Sequence, residues 1–216
     1  IMSAELFIYL LFDFYINGKP YEIASDVYSD AFNQYFSGGF SGIVLNEIRT
    51  KRSMAYTAYG VNQTPSITGK NTSFIGYVGT QSDKVVEAIN VYMDLLTTMP
   101  ADTTRMEAIR AALKQAAQTA KPSMRGKAST FEHWKRLGYN DDPAKINAEK
   151  INNLTYEEIE AFYKENIQGK PITIILMGDP KKIDLKAIQA KMGCKVTKLS
   201  PARLFNSVDE LYDAIM

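Results

Sequence analysis

Two strand-like runs bracketing a turn constrain this chain most. Tyr56-Thr57-Ala58-Tyr59-Gly60-Val61 and Ser73-Phe74-Ile75-Gly76-Tyr77-Val78 are rich in aromatic and β-branched residues. The segment between them, Pro65 to Asn71, reads as a turn. They predict a pair of strands. Val85, Ile89, Tyr92, Met93 and Leu96 then recur at helical spacing, an amphipathic helix that Pro100 stops. A strand pair running into a block of helices points to an α+β fold: one mainly antiparallel sheet, with helices packed on one face.

The rest of the pattern agrees. A first strand is expected over about Ala4 to Asp13, with Asn17-Gly18 as a turn after it. A helical stripe runs from Tyr21 to Tyr35, Ser37 to Gly42 breaks it, and a short helix follows from Ile43 to Lys51. Met106, Ile109, Leu113, Ala116 and Ala117 form another stripe, with Asp102 as a candidate cap. A helix carrying Phe131, Trp134 and Leu137 ends at Gly138, and Asp141-Asp142-Pro143 reads as a loop. Thr155 to Glu158 spell a capping box, with Leu154 and Ile159 placed to form the hydrophobic staple. Pro171 to Met177 reads as a strand, Gly178-Asp179-Pro180 as a turn, Leu185 to Met192 as a helix and Cys194 to Leu199 as an edge strand. No repeat or linker divides the chain, so residues 1–199 read as one domain and 200–216 as a tail or short helix.

Composition removes several classes of function. With 45% hydrophobic and 23% charged residues, the chain can bury a core and is neither disordered nor a disulfide scaffold. A net charge of +1 provides no field for nucleic acid. A single cysteine cannot form an internal disulfide, which leaves the redox compartment open. The apolar run Leu6 to Phe12 is far shorter than the ~20 residues of a membrane span. Glu5 precedes it, and it has neither a basic flank nor a cleavage site, so a strand suits it better than a secretory signal. No membrane insertion is expected. The chain opens on Ile1-Met2 and reads as a piece of a longer one. Nothing in it names a compartment, although the periplasm or envelope would suit a bacterial relative.

Most candidate chemistry dissolves on inspection. His133 follows Glu132 as at the end of an H-x-x-E-H metal motif, but Ser129 stands where the first histidine is needed. His133 is therefore read as structural or surface, and Cys194 as a small buried hydrophobe. The run Gly38 to Gly42 lacks the G-K-[ST] ending of a phosphate loop. Tyr56, Tyr59 and Tyr77 could stack bases, but no basic residue alternates with them, so packing in the core is expected. One constellation survives. Arg49 falls in the last turn of the short helix and Tyr56 at the entrance of the next strand. Folding the strand back would bring a guanidinium and a phenol together, two donors able to hold a peptide carbonyl or an oxyanion. From spacing alone a plainer reading is at least as good: Arg49, Lys51 and Arg52 offset the negative helix end and Tyr56 packs in the sheet.

The stretch Asn33-Gln34-Tyr35-Phe36-Ser37-Gly38-Gly39-Phe40-Ser41-Gly42-Ile43-Val44-Leu45-Asn46-Glu47-Ile48-Arg49, followed by Met54-Ala55-Tyr56-Thr57, resembles the pitrilysin and mitochondrial processing peptidase family. That pattern has a glycine-rich break, a helix ending E-[IL]-R, then G-L-A-Y-S. Ser53, Met54 and Thr57 replace its glycine, leucine and serine. With the order of elements, the resemblance extends over about residues 3–199. It implies the C-terminal, zinc-free half of an inverted-motif zinc metallopeptidase, built from paired homologous halves. The partner half, on the same polypeptide or a separate subunit, would carry H-x-x-E-H and the zinc. This half would contribute Arg49 and Tyr56, which assist by holding the substrate backbone and the oxyanion. A peptide would add to a sheet edge in the chamber between halves. Lacking H-x-x-E-H, the chain is not expected to be active alone. The alternative is a non-catalytic peptide-binding or scaffold module that assembles with a peptidase partner.

Overall fold

The computed structural model describes residues 9–177, 181, 183–193 and 196–197. Its sheet has four strands, β1 (Tyr9–Pro20), β2 (Ala55–Gln63), β3 (Asn71–Gln81) and β4 (Thr173–Met177), in the order β2-β3-β1-β4. Every neighbouring pair is antiparallel. The predicted strand pair is the β2–β3 hairpin, in the register Gly60↔Gly76. Among the described residues β2 and β4 form the edges.

The helices are α1 (Asp26–Ser37), α2 (Ile43–Leu45), α3 (Val85–Thr97), α4 (Met106–Thr119), α5 (Lys127–Leu137), α6 (Pro143–Asn153), α7 (Tyr156–Asn166) and α8 (Leu185–Met192). Alternation along the strands explains why they cover one face. Ala58 on β2 and Phe74 and Val78 on β3 are buried, whereas Tyr59 is 43% exposed and stacks on Tyr77 across the hairpin, centroids 5.1 Å apart. The buried face meets Phe32 and Phe36 of α1, Tyr92 of α3 and Phe162 of α7. The sheet is thus antiparallel and one-sided, as the sequence pattern predicts.

Local chemistry sets the helix ends. The capping box forms: Thr155 Oγ1 accepts from the Glu158 amide and a Glu158 carboxylate oxygen accepts from the Thr155 amide. Leu154 and Ile159 of the staple are fully buried. Asp102 accepts from the Thr104 amide at 3.1 Å and opens the turn Thr103–Arg105 that leads into α4. Gly138 ends α5 at φ 94, a left-handed backbone that favours glycine.

Three expectations need correction. Asn17-Gly18 makes no turn, because β1 runs through it to Pro20. Gly18 instead serves close packing: a Cβ there would sit 2.7 Å from the Thr72 carbonyl oxygen, beside a ladder slip between Asn17 and Pro20. Asp141-Asp142-Pro143 is not only a loop. Asp142 accepts from the Ala144 amide and Pro143 is the first residue of α6. The short helix expected over 43–51 widens after α2 into a π-type turn, Asn46–Thr50. The predicted Gly178-Asp179-Pro180 turn, Cys194 and the tail 200–216 lie outside the described residues, and Val196 and Thr197, the described part of the expected edge strand, are not in a strand.

Candidate functional site

The π-type turn and the start of β2 place the two predicted site residues. Lys51 N–H donates to the Asn46 carbonyl at 2.9 Å, Ser53 N–H to Arg49 O at 2.9 Å and Met54 N–H to Ile48 O at 3.0 Å, which winds the chain straight back along the turn. Ser53 is at φ 50, a left-handed backbone that a serine adopts at a cost. A glycine stands at this position in the family pattern, and the geometry gives the reason. Lys84 Nζ donates to Ser53 O, and Thr80 Oγ1 to Met54 O, fastening this corner to β3 and the chain beyond it.

The ladder then slips. Ala55 pairs with Thr80 and Thr57 with Gly79, so Tyr56 is the extra residue of a β-bulge. The bulge turns Tyr56 out of the alternation: Ala55 and Ala58 are buried while Tyr56 is 70% exposed. The expectation that Tyr56 and Tyr59 pack in the core is therefore wrong. Tyr56 instead stands over the turn, with the Arg49 guanidinium carbon 4.7 Å from its ring centroid. The two side chains meet by cation–π stacking of guanidinium on ring. This differs from the tip-to-tip approach that spacing alone implies, since the guanidinium lies over the ring.

Neighbouring charges sort themselves. Glu47 takes Lys51 Nζ and Arg52 Nη1, each at 2.5 Å, and Arg52 also donates to the Glu47 carbonyl at 2.8 Å. Partial burial pushes the Glu47 carboxyl up, but these two cations outweigh it and hold it below the usual carboxylate range. Lys51 and Arg52 thus play the helix-end role of the plainer reading, while Arg49 turns to Tyr56.

His133, Glu132 and Ser129 are all exposed on α5, in keeping with a surface histidine. Among the described residues no three of His, Cys, Asp and Glu converge as a metal site would need. No helix among them is long and apolar enough to cross a membrane.

The backbone resembles several solved structures. A peptidase M16 inactive domain from Pseudomonas fluorescens superposes at TM-score 0.65 and 15% identity, over 78% of this chain and 40% of that one. The fold is that of an M16 inactive domain. A protease from Helicobacter pylori matches at TM-score 0.62 and 14% identity over 78% of this chain and 41% of its own. The periplasmic protease PqqL from Escherichia coli matches at TM-score 0.59 and 15% identity over 78% and 19%. This chain therefore spans less than half the length of each of these three structures. No protein-family model and no curated protein matches the sequence. The pitrilysin-type resemblance read from residues 33–57 and the architecture agree at the level of fold.

Proposed function

We propose that this chain is the zinc-free, substrate-clamping half of a zinc metalloendopeptidase, inactive by itself and completed by a homologous zinc-bearing half. The observation that carries the reading is the Arg49–Tyr56 stack at a β-bulge on an exposed strand edge. A bulge that re-aims one tyrosine onto one arginine does nothing for the core, since Tyr56 is 70% exposed. It does present a permanently charged donor fork beside a phenolic hydroxyl.

An extended peptide added along the β2 edge would run past this pair. Main-chain hydrogen bonds would hold the peptide, and the pair would bind the carbonyl whose oxygen gains charge as the peptide bond is attacked. The metal-bearing residues would belong to the other half. Mixing this chain with its zinc-bearing half and following cleavage of a fluorogenic peptide tests the reading. Cleavage by the mixture and by neither part alone is the expected result. Peptide capture with no cleavage in the mixture would leave a scaffold module in its place.

A further inference from the structure

The helical layer contains a hollow unrelated to the Arg49–Tyr56 pair. α1, α4, α5 and α6 line an open hollow of about 240 Å³. That is below the ~300–1,000 Å³ typical of pockets for drug-sized ligands, and it suits a single side chain. Its floor and walls include Leu113, Ala117 and Trp134, and its polar lining includes Asp30, Asp142 and Asn147. No lining residue is basic.

The carboxylates differ in what they already do. Asp142 caps α6 through the Ala144 amide. Asp26, one turn before Asp30, accepts from Tyr21 Oη at 2.9 Å and Tyr139 Oη at 2.7 Å, and Asn147 donates to the same Tyr139 hydroxyl at 3.4 Å. Asp30 has none of these bonds, and no ion pair among the described residues includes it. Asp30 is exposed at the rim of the hollow, where neighbouring atoms still crowd its carboxylate. That crowding, and then the charge of Asp26, push its carboxyl up to about 6. The hollow thus combines a solvent-exposed carboxylate that no ion pair among the described residues includes, an aliphatic wall of methyl-bearing residues and one indole.

We propose that this hollow binds a primary alkylammonium group, with Asp30 as counter-ion, Trp134 lying along the cation and the alanine face of α4 against the aliphatic stem. The chemistry fits an ammonium on a short unbranched chain. The charge meets a carboxylate and an indole, which attracts cations more strongly than other rings do, and the methylenes lie on apolar surface. A lysine side chain of a partner segment and a free aliphatic amine share this chemistry. Neither depends on the peptidase reading.

Trp134 is the only tryptophan in the chain, so its fluorescence reports the hollow directly. The full chain is titrated with n-butylamine, with an acetylated, amidated Ala-Lys-Ala peptide and with n-butanol. The expected result is a saturable change with at least one amine within about 10 mM and none with n-butanol. Asp30→Asn should weaken amine binding about tenfold or more, and Ala117→Leu, which fills the hollow, should abolish it. Binding of the peptide but not n-butylamine supports the site with a partner's lysine as occupant, and the reverse supports it with a free amine. An equal response to n-butanol, undiminished amine binding by Asp30→Asn, or no saturable change with either amine overturns the proposal.

Discussion

Gly76→Ala tests how the β2–β3 hairpin is held to the helices. Gly60 and Gly76 face each other across β2 and β3, and the fully buried Tyr92 of α3 inserts its phenol over the pair. Its hydroxyl donates to Tyr59 O at 2.8 Å. A Cβ at Gly76 would overlap that hydroxyl and lie 2.7 Å from Tyr92 Cζ, while one at Gly60 would lie 2.7 Å from Phe74 Cζ and 2.8 Å from Phe36 Cε1. In the Gly76 variant Tyr92 has to retreat into a core already filled by Phe36 and Phe74. Overpacking of that kind costs about 1–3 kcal/mol. Breaking the Tyr92–Tyr59 hydrogen bond in a buried site adds about 1–3 kcal/mol. A loss of roughly 2–6 kcal/mol in urea unfolding follows, or roughly 4–24 °C in Tm at this chain length. Tyr92→Phe removes the overlapping oxygen, so the double variant should be less destabilised than the sum of the two single ones. A cost below about 1 kcal/mol for Gly76→Ala, or strict additivity with Tyr92→Phe, would refute the close approach.

Two further outcomes follow from other corners of the structure. Ser53→Gly relieves a left-handed backbone and should stabilise the chain by about 1 kcal/mol in urea titration, and a loss instead would mean that the side chain matters more than φ. Asp30 has a raised carboxyl value in the fold, so its contribution to stability is greatest below the unfolded value near 3.9 and is lost as pH rises toward about 6. Solvent reaches the group and screens it, so the fall between pH 4 and 6 should be about 1 kcal/mol or less, and Asp30→Asn should flatten that part of the urea-measured stability profile.

The layer plan was legible because it depends on period. The stripe from Val85 to Leu96 and the aromatic and β-branched residues of Ser73 to Val78 favour a helix and a strand, and Thr155–Glu158 starts its helix through side chain–backbone hydrogen bonds that need no tertiary partner. Features set by tertiary contact were not legible. Gly18 follows an asparagine, a pattern that ordinarily turns, yet its lack of a Cβ is used against Thr72. α6 was hidden because its apolar residues do not form a clean stripe: Ile151 is buried, Ile146 is 46% exposed, and the polar Asn147 is buried. Asp142-Pro143 was the available signal, a cap followed by proline at the first helical position. At the site, the separation of Arg49 and Tyr56 in sequence could bring them together but could not show the bulge, because a one-residue ladder slip leaves no mark on composition. The hollow around Asp30 draws on four helices, which no local pattern joins.

The central claim is that Arg49 and Tyr56 act in catalysis run on another half, and turnover of the completed enzyme tests it most directly. This chain, its Arg49→Ala variant and its Tyr56→Phe variant are each combined with the zinc-bearing half, and kcat and KM for peptide cleavage are set beside thermal unfolding of the free chain. Losing one oxyanion donor should lower kcat about 10²–10³-fold. Stability should change by no more than about 1 kcal/mol, the scale of an exposed cation–π contact. Turnover that stays at the wild-type value in both variants would contradict the account.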